Sequence, residues 1–168
     1  NDYAQNPEKT DSDLWNVLNY SSDSDKTEKQ LYVSGINCIP RLAYQQMMTT
    51  KKKYGKTGGN VAYHGYQSFV AGEVTPEQAH SIGMETARRM WGDDYEVVVS
   101  THLNTDNIHN HFVINSVSFV DGKRYYDKRE TYAELRQLSD SLCKEYGLST
   151  LKEKSCKRSK INYANYQK

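Results

Sequence analysis

The chain has 168 residues, enough for one domain with a buried core and too few for two of ordinary size. Its formal net charge of +1 argues, as a whole-chain average, neither for nor against a polyanionic partner. No stretch approaches the roughly 18 apolar residues of a membrane helix, no signal-peptide pattern opens the sequence, and three scattered cysteines (Cys38, Cys143, Cys156) argue against a disulfide scaffold or a CxxC zinc site, so a reducing cytoplasm is expected.

Charge is unevenly placed. Residues 1–30 carry seven acids against three bases, whereas residues 150–168 carry six Lys or Arg against one Glu. The opening "NDYAQN" without Met points to upstream sequence. A single domain over 1–150 is expected, with 151–168 as a basic extension or the start of a linker.

In chain order, "SSDSDKTEKQ" (21–30) has the composition of a mobile loop, and "LYVSG" (31–35) reads as a strand. A helix follows from about Pro40 to Lys53, with Met47 and Met48 inward and a glycine-rich exit at 55–59. "NVAYHGYQSFV" (60–70) is the second strand. In "TPEQAHSIGMETARRMWG", Thr75 caps a helix, Pro76 suits its first position, Gln78 completes a capping box and Gly92 closes it. "YEVVVSTH" (95–102) and "HFVINSVSFV" (111–120) are consecutive strands, with a short piece near "KRYY". "TYAELRQLSDSLCKEYG" repeats the helix scheme with Thr131, Glu134 and Gly147. Strands and helices that first alternate and then give two adjoining strands predict an α+β fold, helices packed on a central antiparallel sheet.

Three of the five histidines lie within "THLNTDNIHNHFVINS". If the strands 95–102 and 111–120 are neighbours, His102 ends one and His111 begins the next, at one rim of the sheet. Alternation along an extended chain turns His109 and His111 to one face and Asn110 away. The three imidazoles then form a facial ligand set with positions open for water or substrate. Ordinary loop histidines are the plainer reading, and three at this spacing outweigh it. Asp106 is a candidate acceptor from a ring nitrogen or a turn Asp that satisfies its own backbone, and Asn115, on the face of His111, a candidate ligand-orienting residue or a satisfied buried polar group. Zinc, manganese, nickel or copper suits the donor set, and magnesium only with oxygen ligands from substrate. No HExxH-like arrangement places a carboxylate base for hydrolysis, which favours polarising an electrophile for attack by another nucleophile.

"THLNTDNIHNHFVINSVSF" closely resembles the histidine motif of conjugative relaxases of the MOBP clade, within the HUH endonuclease superfamily. "NVAYHGYQSF", "GEVTPEQAHSIGMETARRMWGDDYEVVVSTH" and "DGKRYYD" resemble their counterparts in relaxases from Gram-positive mobile elements, so the likeness spans nearly the whole chain. One departure is Asn110, where the superfamily has a hydrophobic residue between the paired histidines. The resemblance implies the relaxase fold with a ferredoxin-like palm, a first strand missing from this chain, and a bacterial cytoplasmic protein. It implies a nucleophilic tyrosine in "NDYAQNPEKT", which is Tyr3; composition cannot select one of 14 tyrosines. It further implies one divalent metal on His102, His109 and His111 (manganese or magnesium in function, zinc or nickel able to occupy it), a 5′-phosphotyrosyl intermediate, single-stranded DNA at an origin-of-transfer nick site, and accessory relaxosome proteins. A metal-bound hydroxide, Asp106 or His64 could take the phenolic proton. For DNA contacts the candidates are Lys51, Lys52, Lys53 and Lys56 around Tyr54, Lys123 and Arg124 in the hairpin, and His64 and Gln67 in "AYHGYQSF". His80 receives no role. The competing readings are a rolling-circle replication initiator, a binding module with structural zinc, and a three-histidine metallohydrolase.

Overall fold

A computed structural model describes residues 11–24 and 32–150. Its elements are α1 (Asp11–Ser21), β1 (Val33–Ile36), a 3-10 turn (Pro40–Leu42) leading into α2 (Ala43–Lys53), β2 (Ala62–Ser68), α3 (Pro76–Trp91), β3 (Val97–His102), β4 (His109–Asn115) and α4 (Arg129–Glu145). The four strands form one antiparallel sheet in the order β1-β3-β4-β2, the α+β arrangement expected. β3 and β4 are the inner pair. Val97, Val98 and Val99 form an unbroken apolar run because both faces of β3 are covered.

Opposed residues of an antiparallel pair share a face. His111 sits between Ser100 on β3 and Tyr66 on β2, and His102 faces His109. One face of the sheet therefore carries His64, Tyr66, His102, His109, His111, Val98, Val113 and Asn115. Here α1 and α2 pack through Leu14, Val17, Leu18, Met47 and Met48, with both methionines inward as expected. The other face carries Val97, Val99, Phe112 and Ile114, packed against Ala87 and Trp91 of α3. Ile82 and Leu142 join α3 to α4.

The start of α3 has the full capping box between Thr75 and Gln78. Gly92 ends it for a steric reason: a Cβ there would lie 2.6 Å from the Arg88 carbonyl oxygen. By contrast α4 begins two residues before Thr131, at Arg129, after Lys128 without a side-chain cap. It stops at Gly147, whose φ of 70° only glycine adopts readily. The last long strand starts at His109 rather than His111 and ends at Asn115, the chain continuing through a single bridge between Val117 and Arg124. Helix α1 has no counterpart among the predicted elements.

A polar knot is buried on the histidine face, at the far end of β4 from the histidines. Lys51 donates to Asn115 Oδ1, Asn115 Nδ2 donates to Glu96 Oε2 (3.1 Å) and to the Met47 carbonyl (3.3 Å), and Thr50 donates to Glu96 Oε1. Lys51 is 1% exposed. It lies four residues after Met47 and three after Met48, on the stripe of α2 that faces the sheet.

Candidate active site

The three histidines meet at the rim where β3 ends and β4 begins. One nitrogen of each lies within 4.8 Å of the others, and the rings of His102 and His111 are 3.8 Å apart at their centroids. The opposite nitrogen of each ring is engaged. His102 Nε2–H donates to the carbonyl of Ser21 at 2.7 Å, His109 Nδ1–H to the carbonyl of Asn107 at 3.0 Å, and His111 Nδ1 lies 2.8 Å from His64 Nε2. Outer hydrogen bonds of this kind set the tautomer, which makes His102 Nδ1, His109 Nε2 and His111 Nε2 the unprotonated nitrogens of the cluster. Neutral imidazoles gathered so closely suit a divalent cation. The residues fit the metal that the sequence implies.

His64 is therefore placed against the clustered histidines rather than on a DNA-contacting surface. Burial, and then the neighbouring His102 charge, pushes its pKa down to about 4, so the ring is neutral. Its Nδ1 is buried with no hydrogen-bond partner among the described residues. Above the site, Tyr66 stacks on His64 (4.6 Å between centroids, 23° between planes), and Tyr20, at the end of α1, meets His102 and His111 edge to face at 6.4 Å. Neither tyrosine was singled out from sequence, although Tyr66 follows His64 by two in a strand and so shares its face.

Behind the histidines, on the opposite face, a row of hydrogen bonds crosses all four strands. Gln67 donates to Thr86 (3.1 Å) and Ser139 (2.8 Å), Asn110 Nδ2 donates to Gln67 Oε1 (2.9 Å) and to the Ala79 carbonyl (2.8 Å), and Thr101 donates to Asn110 Oδ1 (2.6 Å). His80 then links Thr101 (2.9 Å) to Ser34 (2.6 Å). Asn110 points away from the metal histidines, as alternation requires. It is a satisfied core amide, and α3 makes room for it with Gly83, where a Cβ would lie 2.6 Å from Asn110 Nδ2.

These contacts, with those of the buried knot beside Glu96, correct several expectations. Gln67 is buried under α3 and α4, three residues from His64 and hence on the other face, so it cannot line a groove on the histidine side. Asn115 shares the face of His111 but binds Lys51, Glu96 and Met47 at the other end of the strand. Lys51, buried in that knot, is likewise no surface contact, whereas Lys52 and Lys53 are exposed. Asp106 is exposed in the β3–β4 turn and bonds no histidine. Lys56 donates to the Gly122 carbonyl and Arg124 to that of Gly58 (3.0 Å), while Lys123 pairs loosely with Asp121 (3.9 Å). The structure thus gathers Lys56, Lys123 and Arg124 where the 54–59 loop meets the hairpin. That junction is separated from the histidines by the length of β4, about 20 Å. Tyr3 lies outside the described residues.

Comparison with known proteins agrees with this site. The family model for the MobA/VirD2-like relaxase nuclease domain matches residues 3–148. Two proteins named Protein rlx from Staphylococcus aureus are similar, one 38% identical over 122 residues (73% of this chain, 37% of that protein) and another 40% identical over 139 residues (83% and 42%). The group II intron-interrupted relaxase LtrB of Lactococcus lactis subsp. cremoris is 30% identical over 213 residues, covering 99% of this chain and 37% of the relative. The chain spans about two fifths of the length of these relatives. No solved structure matches. Among the described residues no helix is long and apolar enough to cross a membrane. A domain-length family match and a rim of three converging imidazoles agree, and the chain belongs to the MobA/VirD2-like relaxase nuclease-domain family.

Proposed function

We propose that this chain nicks and rejoins one strand of DNA at an origin-of-transfer site, as the relaxase domain that initiates transfer of a plasmid or conjugative element. The observation that carries the reading is the trio of His102, His109 and His111, each ring held from behind, in a chain of this family. The Tyr3 oxygen forms a bond to the scissile phosphorus as the bond to the 3′-oxygen breaks, giving a 5′-phosphotyrosyl ester and a free 3′-hydroxyl. One ester replaces another, so the step runs in reverse to reseal the strand. The phenolic proton passes to a base and the 3′-oxygen takes one up. Asp106, exposed in the β3–β4 turn, is the candidate base, since His64 Nε2 already accepts from His111 Nδ1–H. A divalent cation on the three histidines, manganese or magnesium in function, supplies neutralisation of charge on the phosphoryl oxygens. Exposed Lys52 and Lys53, with Lys56, Lys123 and Arg124, give the DNA backbone a basic anchor at the far end of the sheet. Residues 1–150 are the nicking domain, 151–168 a basic extension or the start of a linker, and accessory relaxosome proteins assist at the origin.

The deciding experiment incubates the protein with manganese and single-stranded origin DNA and searches for an adduct on Tyr3 by gel and mass spectrometry. Tyr3→Phe should abolish the adduct and leave metal and oligonucleotide binding intact. Cleavage with solvent oxygen in the product and no protein adduct would instead mark a metallohydrolase, and binding without cleavage a zinc-containing module. A rolling-circle initiator would act on a replication origin in place of a transfer origin, a role that the relaxase-named relatives disfavour.

A further inference from the structure

Tyr66 lies on β2, an edge strand, directly opposite His111 in the register. Tyr63, three residues earlier in the strand, turns to the other face and packs against Tyr125 (4.8 Å), as a strand tyrosine ordinarily does. Tyr66 leaves 53% of its surface exposed although its ring touches two others. One face is laid on His64 at 4.6 Å and 23°, and its ring is 4.7 Å from that of His111 at 67°. His64 is itself fixed by the 2.8 Å contact with His111. The result is an aromatic plate at the edge of the histidine cluster, backed by a half-buried imidazole and ordered before any ligand arrives. Ordering a side chain in advance removes a cost of binding, and an exposed tyrosine face takes any nucleobase by stacking.

We infer that Tyr66, backed by His64, is the stacking platform for a nucleobase beside the scissile phosphate. The inference rests on the nicking reading for the identity of the ligand. It adds the element that seats the base next to the reacting bond, whereas the basic residues at the far end of the sheet hold only the backbone. A phosphate at the histidines and a base on a ring 4.7 Å from His111 are within reach of one nucleotide.

The test compares wild type, Tyr66→Ala and Tyr66→Phe by fluorescence anisotropy without metal. The probes are a labelled oligodeoxythymidine and a backbone of the same length in which every nucleotide is abasic. Tyr66→Ala should weaken oligodeoxythymidine binding about 5- to 150-fold, Tyr66→Phe should bind nearly as wild type, and all three should bind the abasic backbone alike. Equal binding of oligodeoxythymidine by wild type and Tyr66→Ala overturns the platform, as does an equal loss on both probes or a Tyr66→Phe loss as large as that of alanine. Calorimetric manganese affinity and the melting temperature of Tyr66→Ala should match wild type, which excludes a folding or metal-site defect as the cause. If wild type forms no Tyr3 adduct the nicking reading fails, and the anisotropy comparison still judges the platform separately.

Discussion

His64 Nε2 and His111 Nδ1 lie 2.8 Å apart on the same face of the sheet, one residue buried beside the other at the rim. With His111 Nδ1 engaged by this contact, Nε2 is the nitrogen with which His111 would hold a cation. His64→Ala should therefore weaken manganese or zinc binding about 10- to 100-fold, and His64→Gln, whose amide oxygen can accept the Nδ1 proton, should recover part of it. Isothermal titration with each variant measures this directly. Unchanged affinity in the alanine variant would show that His111 needs no such support.

Asn110 and Gly83 should behave as a coupled pair. Asn110→Val removes the amide on which Gln67 and Thr101 depend, leaving buried polar atoms unmet at about 1–3 kcal/mol. Gly83→Ala drives a methyl into Asn110 Nδ2 and should cost about 1–3 kcal/mol by overpacking. Valine at 110 relieves that clash, so the double variant should lose less than the two single losses added together. Denaturant unfolding of all three gives the coupling energy, and strict additivity would mean the pair does not touch in solution.

The lysines of the "KKK" run should divide by role. Lys51→Ala opens the buried knot with Asn115 and should cost about 2–4 kcal/mol of stability. Lys52→Ala and Lys53→Ala should leave stability nearly unchanged and each lower the slope of log affinity against log salt by about 0.7 for single-stranded DNA. Melting curves and salt titrations separate the two effects.

Alkaline pH should loosen the fold. Burial, helped by the Glu96 charge, pushes the Cys38 thiol from 9.0 up to about 12, and burial raises Tyr125 from 10.0 to about 12 against the bond from Trp91. Both groups stay protonated in the folded chain while the unfolded chain ionises. Their contribution to stability is thus complete below pH 9, falls above it and is lost near 12. The denaturant midpoint should decline from pH 9 upward, more shallowly in Cys38→Ala. An identical decline in that variant would remove Cys38 from the account.

The histidine trio was legible in the sequence because its parts are local: two lie two residues apart in one strand, and the third ends the strand that pairs with it. The α3 capping box was legible for the same reason. Errors arose where parity had to be carried further. His64 and Gln67 are three apart, so one strand could never turn both to the same groove. Lys51 repeats the Met47 stripe, so its place in the core was written in the spacing and obscured by the charge of its neighbours. Helix α1 also had its signal in Leu14, Val17, Leu18 and Ser21, all buried. The approach of Ser21 to His102, by contrast, joins residues 81 apart in sequence and could come only from the fold.

That carbonyl lies at the C-terminal end of α1, where the helix dipole concentrates negative charge. It makes the His102 ring a stronger electron donor, and it ties the end of α1 to the histidine rim. By reciprocity of linked equilibria, whatever seats α1 raises the affinity for the ion, and the ion in turn steadies α1 by the same free energy. Amide exchange along 11–21 should slow when manganese is added, so the helix that follows the proposed nucleophile would also register whether the ion is bound.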